Sequence, residues 1–213
     1  MNRTEILQHL IDTGIAAVVR MDDHDKLLKG VEAMMEGGID CIEITMTSTR
    51  PFQAIEKVNE NLPDALVGVG SVLDDTTARS AILSGADFVV SPVHDESIVQ
   101  TAHRYDKPCI SGAFTPTEIK EAWEEGSDVV KVFPAGMFGP KYFKAIKGPM
   151  PQIRLTPTGG VNTDTARAFL EAGAEFLGAG SALFDKEAIA SGNWEKLEKN
   201  ARAFREIIDE TRN

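Results

Sequence analysis

Gly126-Ser127-Asp128-Val129-Val130-Lys131-Val132-Phe133-Pro134 reads as the end of a helix running straight into a buried strand. A glycine suits the left-handed turn that closes a helix, and a short β-branched apolar run bounded by turn residues suits a strand covered on both faces. The same punctuation returns at Gly37-Gly38-Ile39-Asp40, Gly85-Ala86-Asp87 and Gly173-Ala174-Glu175, so one supersecondary unit is being repeated. Apolar runs at 15–19, 41–45, 66–69, 88–90, 109–110, 129–133, 153–155 and 176–177 supply its strands. Between them, helical spacing places Leu27, Val31 and Met34 on one face, and Ala166, Phe169 and Leu170 on another. Leu197, Ala201, Phe204 and Ile208 continue a single stripe down the last segment. Asp74, Thr115-Pro116 with Glu118, and Asn162 carry the chemistry of helix starts. About eight β/α units with no composition break predict an α/β fold, a single-domain TIM barrel over residues 1–213. An extra N-terminal helix near 6–11 is placed to cap its lower end, and an open doubly wound sheet is the structural alternative.

Composition narrows the function classes. Lys+Arg 22 against Asp+Glu 33 gives a net charge of -11, which repels nucleic-acid backbones and anionic lipid. An anionic substrate therefore has to be met by a few local cations and oriented amides. Cys41 and Cys109 both sit in apolar segments and read as reduced core residues, which fits a cytoplasmic protein. Charges precede the first apolar stretch, and no run is long enough to span a bilayer, so no leader and no membrane segment are expected. His9, His24, His94 and His103 lack metal-ligand spacing, and no nucleotide-binding glycine motif follows an early strand. No metal and no cofactor are expected.

A barrel of this kind keeps its chemistry at the C-terminal ends of its strands. Lys131 is there, an amine inside an apolar run, and desolvation turns a lysine toward the neutral, nucleophilic form. Read alone it is better taken as a strand lysine whose stem packs while its head reaches water. Alternation puts Glu43, Thr45 and Thr47 on one face of their strand, and Lys131 with Val129 and Phe133 on one face of theirs. If both faces point inward, a carboxylate and an amine meet at the mouth. Imine chemistry needs that pair; a buried Glu43–Lys131 ion pair is the bland alternative. Gly159-Gly160 and Gly180-Ser181 fall after the strands where barrels often hold phosphate on free N–H groups.

These strand ends resemble the bacterial 2-keto-3-deoxy-6-phosphogluconate/4-hydroxy-2-oxoglutarate aldolases, class I enzymes on a small TIM barrel. The likeness runs from Gly14-Ile15-Ala16-Ala17-Val18-Val19-Arg20 to Gly180-Ser181-Ala182-Leu183. Its most specific pieces are Gly37 to Thr45, Ser91-Pro92, Thr115-Pro116-Thr117-Glu118, Val130 to Ala135 and Pro157-Thr158-Gly159-Gly160-Val161. The resemblance implies Lys131 as the Schiff-base lysine and Glu43 as the general acid/base. It implies Thr45, Ser71, Pro92, Phe133 and Thr158 as substrate-lining residues, and Gly159, Gly160, Gly180 and Ser181 as the phosphate end. Ser71 stands where the family usually has threonine. Many members carry a carboxylate-binding arginine where this chain has Thr47, and Arg20, at the end of the first strand, is the expected replacement. The implied substrate is an anionic keto-acid sugar phosphate, and the implied assembly is a homotrimer. Alternatives are an aldolase for the galactonate epimer, a non-imine phosphosugar isomerase, synthase or decarboxylase using Lys131 and Asp128 electrostatically, and a phosphosugar-binding protein.

Overall fold

The apolar runs become strands because alternate residues have two separate cores to fill. A computed structural model describes residues 1–212, which leaves Asn213, the last position of the expected domain, outside the described residues. The strands are β1 (Ile15–Val19), β2 (Cys41–Thr45), β3 (Leu66–Gly70), β4 (Phe88–Val90), β5 (Cys109–Ala113), β6 (Val129–Val132), β7 (Leu155–Pro157) and β8 (Leu177–Ala179). The helices are α1 (Arg3–Thr13), α2 (His24–Glu36), α3 (Pro51–Asn61), α4 (Asp75–Leu83), α5 (Glu96–Arg104), α6 (Pro116–Glu124), α7 (Pro140–Lys147), α8 (Thr163–Glu171), α9 (Lys186–Ser191) and α10 (Trp194–Arg212). Each strand pairs in parallel with its sequence neighbours from β1 to β7, and β8 returns to lie beside β1. The bridges Leu155↔Ala174 and Thr158↔Gly178 close the remaining seam between β7 and β8. The sheet is thus a closed (β/α)8 ring, and the open-sheet alternative falls away.

Outward-facing Ala17, Val19, Ile42, Ile44, Val67, Val69, Val130 and Val132 lie in the core between sheet and helices. Inward-facing Cys41, Leu66, Phe88, Ile110, Val129 and Phe176 fill the lower barrel together with Ile6, Leu7 and Leu10 of α1. The N-terminal helix is therefore the floor of the barrel. It is held in register by a capping box in which Asn2 accepts from Glu5 N and the Glu5 carboxylate accepts from Asn2 N. Phe88 can cross the interior because β3 offers Gly68 beside it; a Cβ at that position would collide with the ring.

The helix starts fall where the sequence places them. Asp74 accepts from Thr77 N, Thr115 and Glu118 form a capping box, and Asn162 accepts from Asp164 N and Thr165 N. Gly126 takes φ 97° at the exit from α6, a conformation that disfavours any side chain. Five strands differ in their limits from the sequence reading, β3 by gaining Gly70, β6 by losing Phe133, and the other three by more. β5 continues to Ala113, β7 runs over Leu155–Pro157 rather than 153–155, and β8 runs over Leu177–Ala179 rather than 176–177. Pairing, not hydrophobicity, decides these ends: Gly112↔Lys131, Lys131↔Thr156 and Val132↔Pro157 stay in the ladder although the sequence has turned small and polar.

Candidate active site

β2 and β6 stand opposite one another in the ring, and each sends one charged side chain to the centre. Lys131 is 5% exposed and Glu43 3%, and Lys131 Nζ lies 4.0 Å from Glu43 Oε1. Glu43 can reach the centre because the neighbouring β3 withholds a side chain at Gly70. A Cβ on Gly70 would stand 2.6 Å from the Glu43 carboxyl carbon, while Gly112, beside Lys131 in the ladder, instead lets the Pro92–Val93 backbone come close, 2.6 Å from such a Cβ at Val93 N. Lys131 Nζ also sits 5.3 Å from the centroid of the Phe133 ring, which forms part of its wall. Burial pushes the Glu43 carboxyl above its usual range, and the neighbouring Lys131 charge only partly offsets that rise. A carboxyl held in this way can keep a proton and release it, as an acid/base group must.

Every other residue singled out at the strand ends lies on this same face. Thr45 Oγ1 and Thr47 Oγ1 share a hydrogen bond of 2.9 Å, and Ser71 follows β3 with φ 60°. Pro92 and Phe133 line a hollow of about 400 Å³ beside β4, β5 and β6. Arg20, Thr45, Gly180 and Ser181 line a second hollow of about 190 Å³ beside β1, β2 and β8. Thr158 N donates to Val132 O at 3.1 Å and Thr158 O accepts from Ala135 N at 2.9 Å, fixing the turn after β7. Gly159 and Gly160 follow with φ 84° and 77°, and a Cβ on Gly160 would stand 2.7 Å from Gly136 Cα. Among the described residues, the backbone N–H groups of Gly159, Gly160, Ser181 and Ala182 have no protein acceptor. Four unpaired donors around one mouth make a cradle for an anion.

The structure adds three groups that sequence reading passes over. Lys186, the first residue of α9, borders the hollow that Arg20 and Ser181 line. His94 borders the hollow of Pro92 and Phe133, bonded through Nε2 to Glu125 at 2.5 Å, and its buried Nδ1 has no partner. His9, Asp40 and Cys41 come together although the sequence spacing of the histidines suggests no ligand cluster. That trio lies at the floor, where His9 Nε2 is 2.8 Å from Asp40 and ties α1 to the strand, and burial raises the Cys41 thiol well above its usual range. A thiol so held is poorly suited to ligate metal as a thiolate. A hollow of about 490 Å³ on the barrel's flank between α2 and α3 contains none of the strand-end residues. Cys41 and Cys109 are free and buried, as expected, and no described helix is long and apolar enough to cross a membrane.

The chain matches the family model for KDPG and KHG aldolase over residues 6–200. A 2-dehydro-3-deoxy-phosphogluconate aldolase of Haemophilus influenzae is 34% identical over 206 residues, covering 96% of each chain. A 2-dehydro-3-deoxy-6-phosphogalactonate aldolase of Escherichia coli K12 is 29% identical, covering 91% of this chain and 96% of its own. Among solved structures, a KDPG aldolase from Legionella pneumophila, with pyruvate captured at low pH as a covalent carbinolamine intermediate, superposes with a TM-score of 0.87. It is 27% identical, covering 93% of this chain and 97% of its own. A likeness that runs through nearly the whole barrel, together with an amine and a carboxylate facing each other at its mouth, establishes that the chain belongs to the KDPG and KHG aldolase family.

Proposed function

We propose that the protein is a class I aldolase that cleaves 2-keto-3-deoxy-6-phosphogluconate to pyruvate and glyceraldehyde 3-phosphate, and takes 4-hydroxy-2-oxoglutarate, giving pyruvate and glyoxylate, as a second substrate. The observation that carries this reading is the buried Lys131–Glu43 pair, 4.0 Å apart at the catalytic face of the barrel. Lys131, as the free amine, attacks the C2 carbonyl, and Glu43 supplies the proton with which the carbinolamine loses water. The resulting protonated imine is the electron sink. Glu43, directly or through one water, then takes the proton of the C4 hydroxyl. The C3–C4 electrons move into the imine, and the aldehyde departs. Protonation of the enamine at C3 and hydrolysis return pyruvate and the free lysine. The scheme needs no cofactor.

The remaining roles follow from register. Arg20 comes one step beyond the Val19↔Ile44 pair, beside Thr45, so it serves the substrate carboxylate together with the Thr45 and Ser71 hydroxyls. Pro92, Phe133 and Thr158 line the carbon chain. Gly159, Gly160, Gly180 and Ser181 surround the phosphate. A non-imine role for Lys131 loses its partner, because Asp128 is engaged at the other end of β6. It accepts from Cys109 N at 2.9 Å and pairs with His103 at 2.9 Å and Arg3 at 3.6 Å. We further read residues 1–213 as one catalytic domain working as a cytoplasmic homotrimer, binding neither nucleic acid nor membrane. The charge of -11 and the exposed Leu73, Met137 and Phe138 support that reading.

Borohydride with pyruvate tests it. A mass increase on Lys131, lost in Lys131→Ala, is expected, together with pyruvate release from the phosphogluconate-derived substrate in a dehydrogenase-coupled assay. An unmodified protein under those conditions refutes the imine. Rates with the galactonate epimer and with 4-hydroxy-2-oxoglutarate rank the substrates.

A further inference from the structure

Lys186 is a cation in the wall of the mouth that no step above uses. It borders the hollow of about 190 Å³ that Arg20, Thr45, Gly180 and Ser181 also line. Among the described residues it has no carboxylate within 4.0 Å. Two acids near it, Asp185 and Asp22, are engaged with other groups, and the adjacent Glu187 does not come within 4.0 Å of its amine. The Asp185 carboxylate accepts from Ala188 N and pairs with Lys196, each at 2.8 Å. Asp22 accepts from Thr49 N at 3.1 Å and Thr49 Oγ1 at 2.6 Å. The backbone that carries Lys186 is fixed. Leu183 and Phe184 are 0% and 4% exposed, and α2 presents Gly30 to the Phe184 ring so closely that a Cβ there would stand 2.6 Å from it. The lysine thus shares a hollow with Ser181, whose N–H group, like that of Ala182 after it, is unpaired. In a protein of net charge -11, amides alone leave a phosphate dianion without countercharge at this end, and Arg20, the other cation lining the hollow, is assigned above to the substrate carboxylate.

We propose that Lys186 is the specificity-determining cation for the substrate's phosphate, making the enzyme prefer phosphorylated keto acids to the same sugar acids without phosphate. The inference rests on the aldolase reading for its substrate, and on the geometry of the hollow for its ligand class, a phosphate monoester. The lysine acts as a flexible point charge reaching over the β8 end, and the amides supply direction.

The test compares wild type, Lys186→Gln and Lys186→Arg on the phosphorylated sugar acid and on its unphosphorylated form, with inorganic phosphate as a separate ligand. For Lys186→Gln, KM for the phosphorylated substrate is expected to rise about tenfold at low ionic strength, with kcat within about twofold. Inhibition by inorganic phosphate should weaken by a similar factor, and KM for the unphosphorylated acid should move less than about twofold. Lys186→Arg should restore most of the loss, and added salt should narrow the gap between wild type and Lys186→Gln. Equal changes on both substrates, or an unchanged KM for the phosphorylated one, overturn the proposal while leaving the aldolase reading intact. If wild type releases no pyruvate at all, the aldolase reading fails instead. Calorimetric titration with inorganic phosphate then decides Lys186 alone: about tenfold weaker binding in Lys186→Gln supports it, and equal binding overturns it.

Discussion

Gly70→Ala puts a single methyl group where the Glu43 side chain lies. The backbone there is one that any residue adopts, so the whole effect is steric. Ordinary carbon contact begins near 3.4 Å, so the Glu43 carboxyl carbon, which would stand 2.6 Å from the new methyl, has to retreat by about 0.8 Å, and Oε1, nearer still, by more. The obstacle is the end of a flexible side chain, so the fold gives way cheaply; overpacking of this kind costs about 1–3 kcal/mol. Catalysis does not give way cheaply, because ångström-scale misplacement of a reacting group lowers rates by about 100-fold. The expected result in a coupled pyruvate-release assay is therefore a fall of about 100-fold in kcat, with a cooperative thermal transition retained. Borohydride should still trap pyruvate on Lys131 at longer times, since the amine is untouched. Shortening the acid by one methylene makes room again, so Gly70→Ala should cost much less in a Glu43→Asp background than alone. A kcat within threefold of wild type, or an equal cost in both backgrounds, refutes the steric argument.

The charge on Glu43 gives a pH-dependent expectation. The unfolded carboxyl ionises near 4.5, and the folded one above that, so the native state holds the proton more tightly. The stability this contributes is fully present below pH 4.5 and is lost as pH rises through the folded value. Glu43→Gln, which keeps the shape, should thus gain thermal stability relative to wild type as pH is raised from 4.5 while losing turnover; a difference in Tm that does not change with pH contradicts this. At the other end of the barrel, Ile6→Ala removes a fully buried side chain of the floor and should cost about 2–5 kcal/mol in urea unfolding, with kcat unchanged below the transition. Loss of kcat in the folded variant would mean that α1 does more than close the floor.

Most of the barrel is legible in the chain because helix exits and strand entries use the same few residue types. The runs at β1, β2 and β4 are bounded by turn residues on both sides, and their limits can be read directly. The ends of β5, β7 and β8 are hidden, because Gly112, Thr156-Pro157 and Gly178-Ala179 are strand only through pairing with their neighbours. At the site, alternation places Glu43 and Lys131 on inward faces, but the room for Glu43 depends on Gly70 of another strand, which no local pattern announces. Lys186 is harder still. It is exposed, it stands on a helix, and its neighbours are acidic, so it looks like any surface lysine until the turn from Ser181 to Asp185 folds it over the strand ends. The His9–Asp40 pair escapes sequence reading for the same reason, since 31 positions separate residues that touch.

The seam between β7 and β8 is the one place where the ring lacks a continuous ladder; two isolated bridges and a Thr156 hydroxyl bonded to Phe176 O stand in for it. Local opening follows the lowest density of backbone hydrogen bonds, so the barrel should breathe first along this line. The unpaired amides at Gly159-Gly160 and at Ser181-Ala182 sit one on each lip. An anion gripped by both would act as a missing rung, stitching the first strand of the seam to the last. Ligand binding and closure of the cylinder are then one equilibrium, and the amides most shielded from hydrogen exchange by a phosphate are those of the seam, on both lips at once.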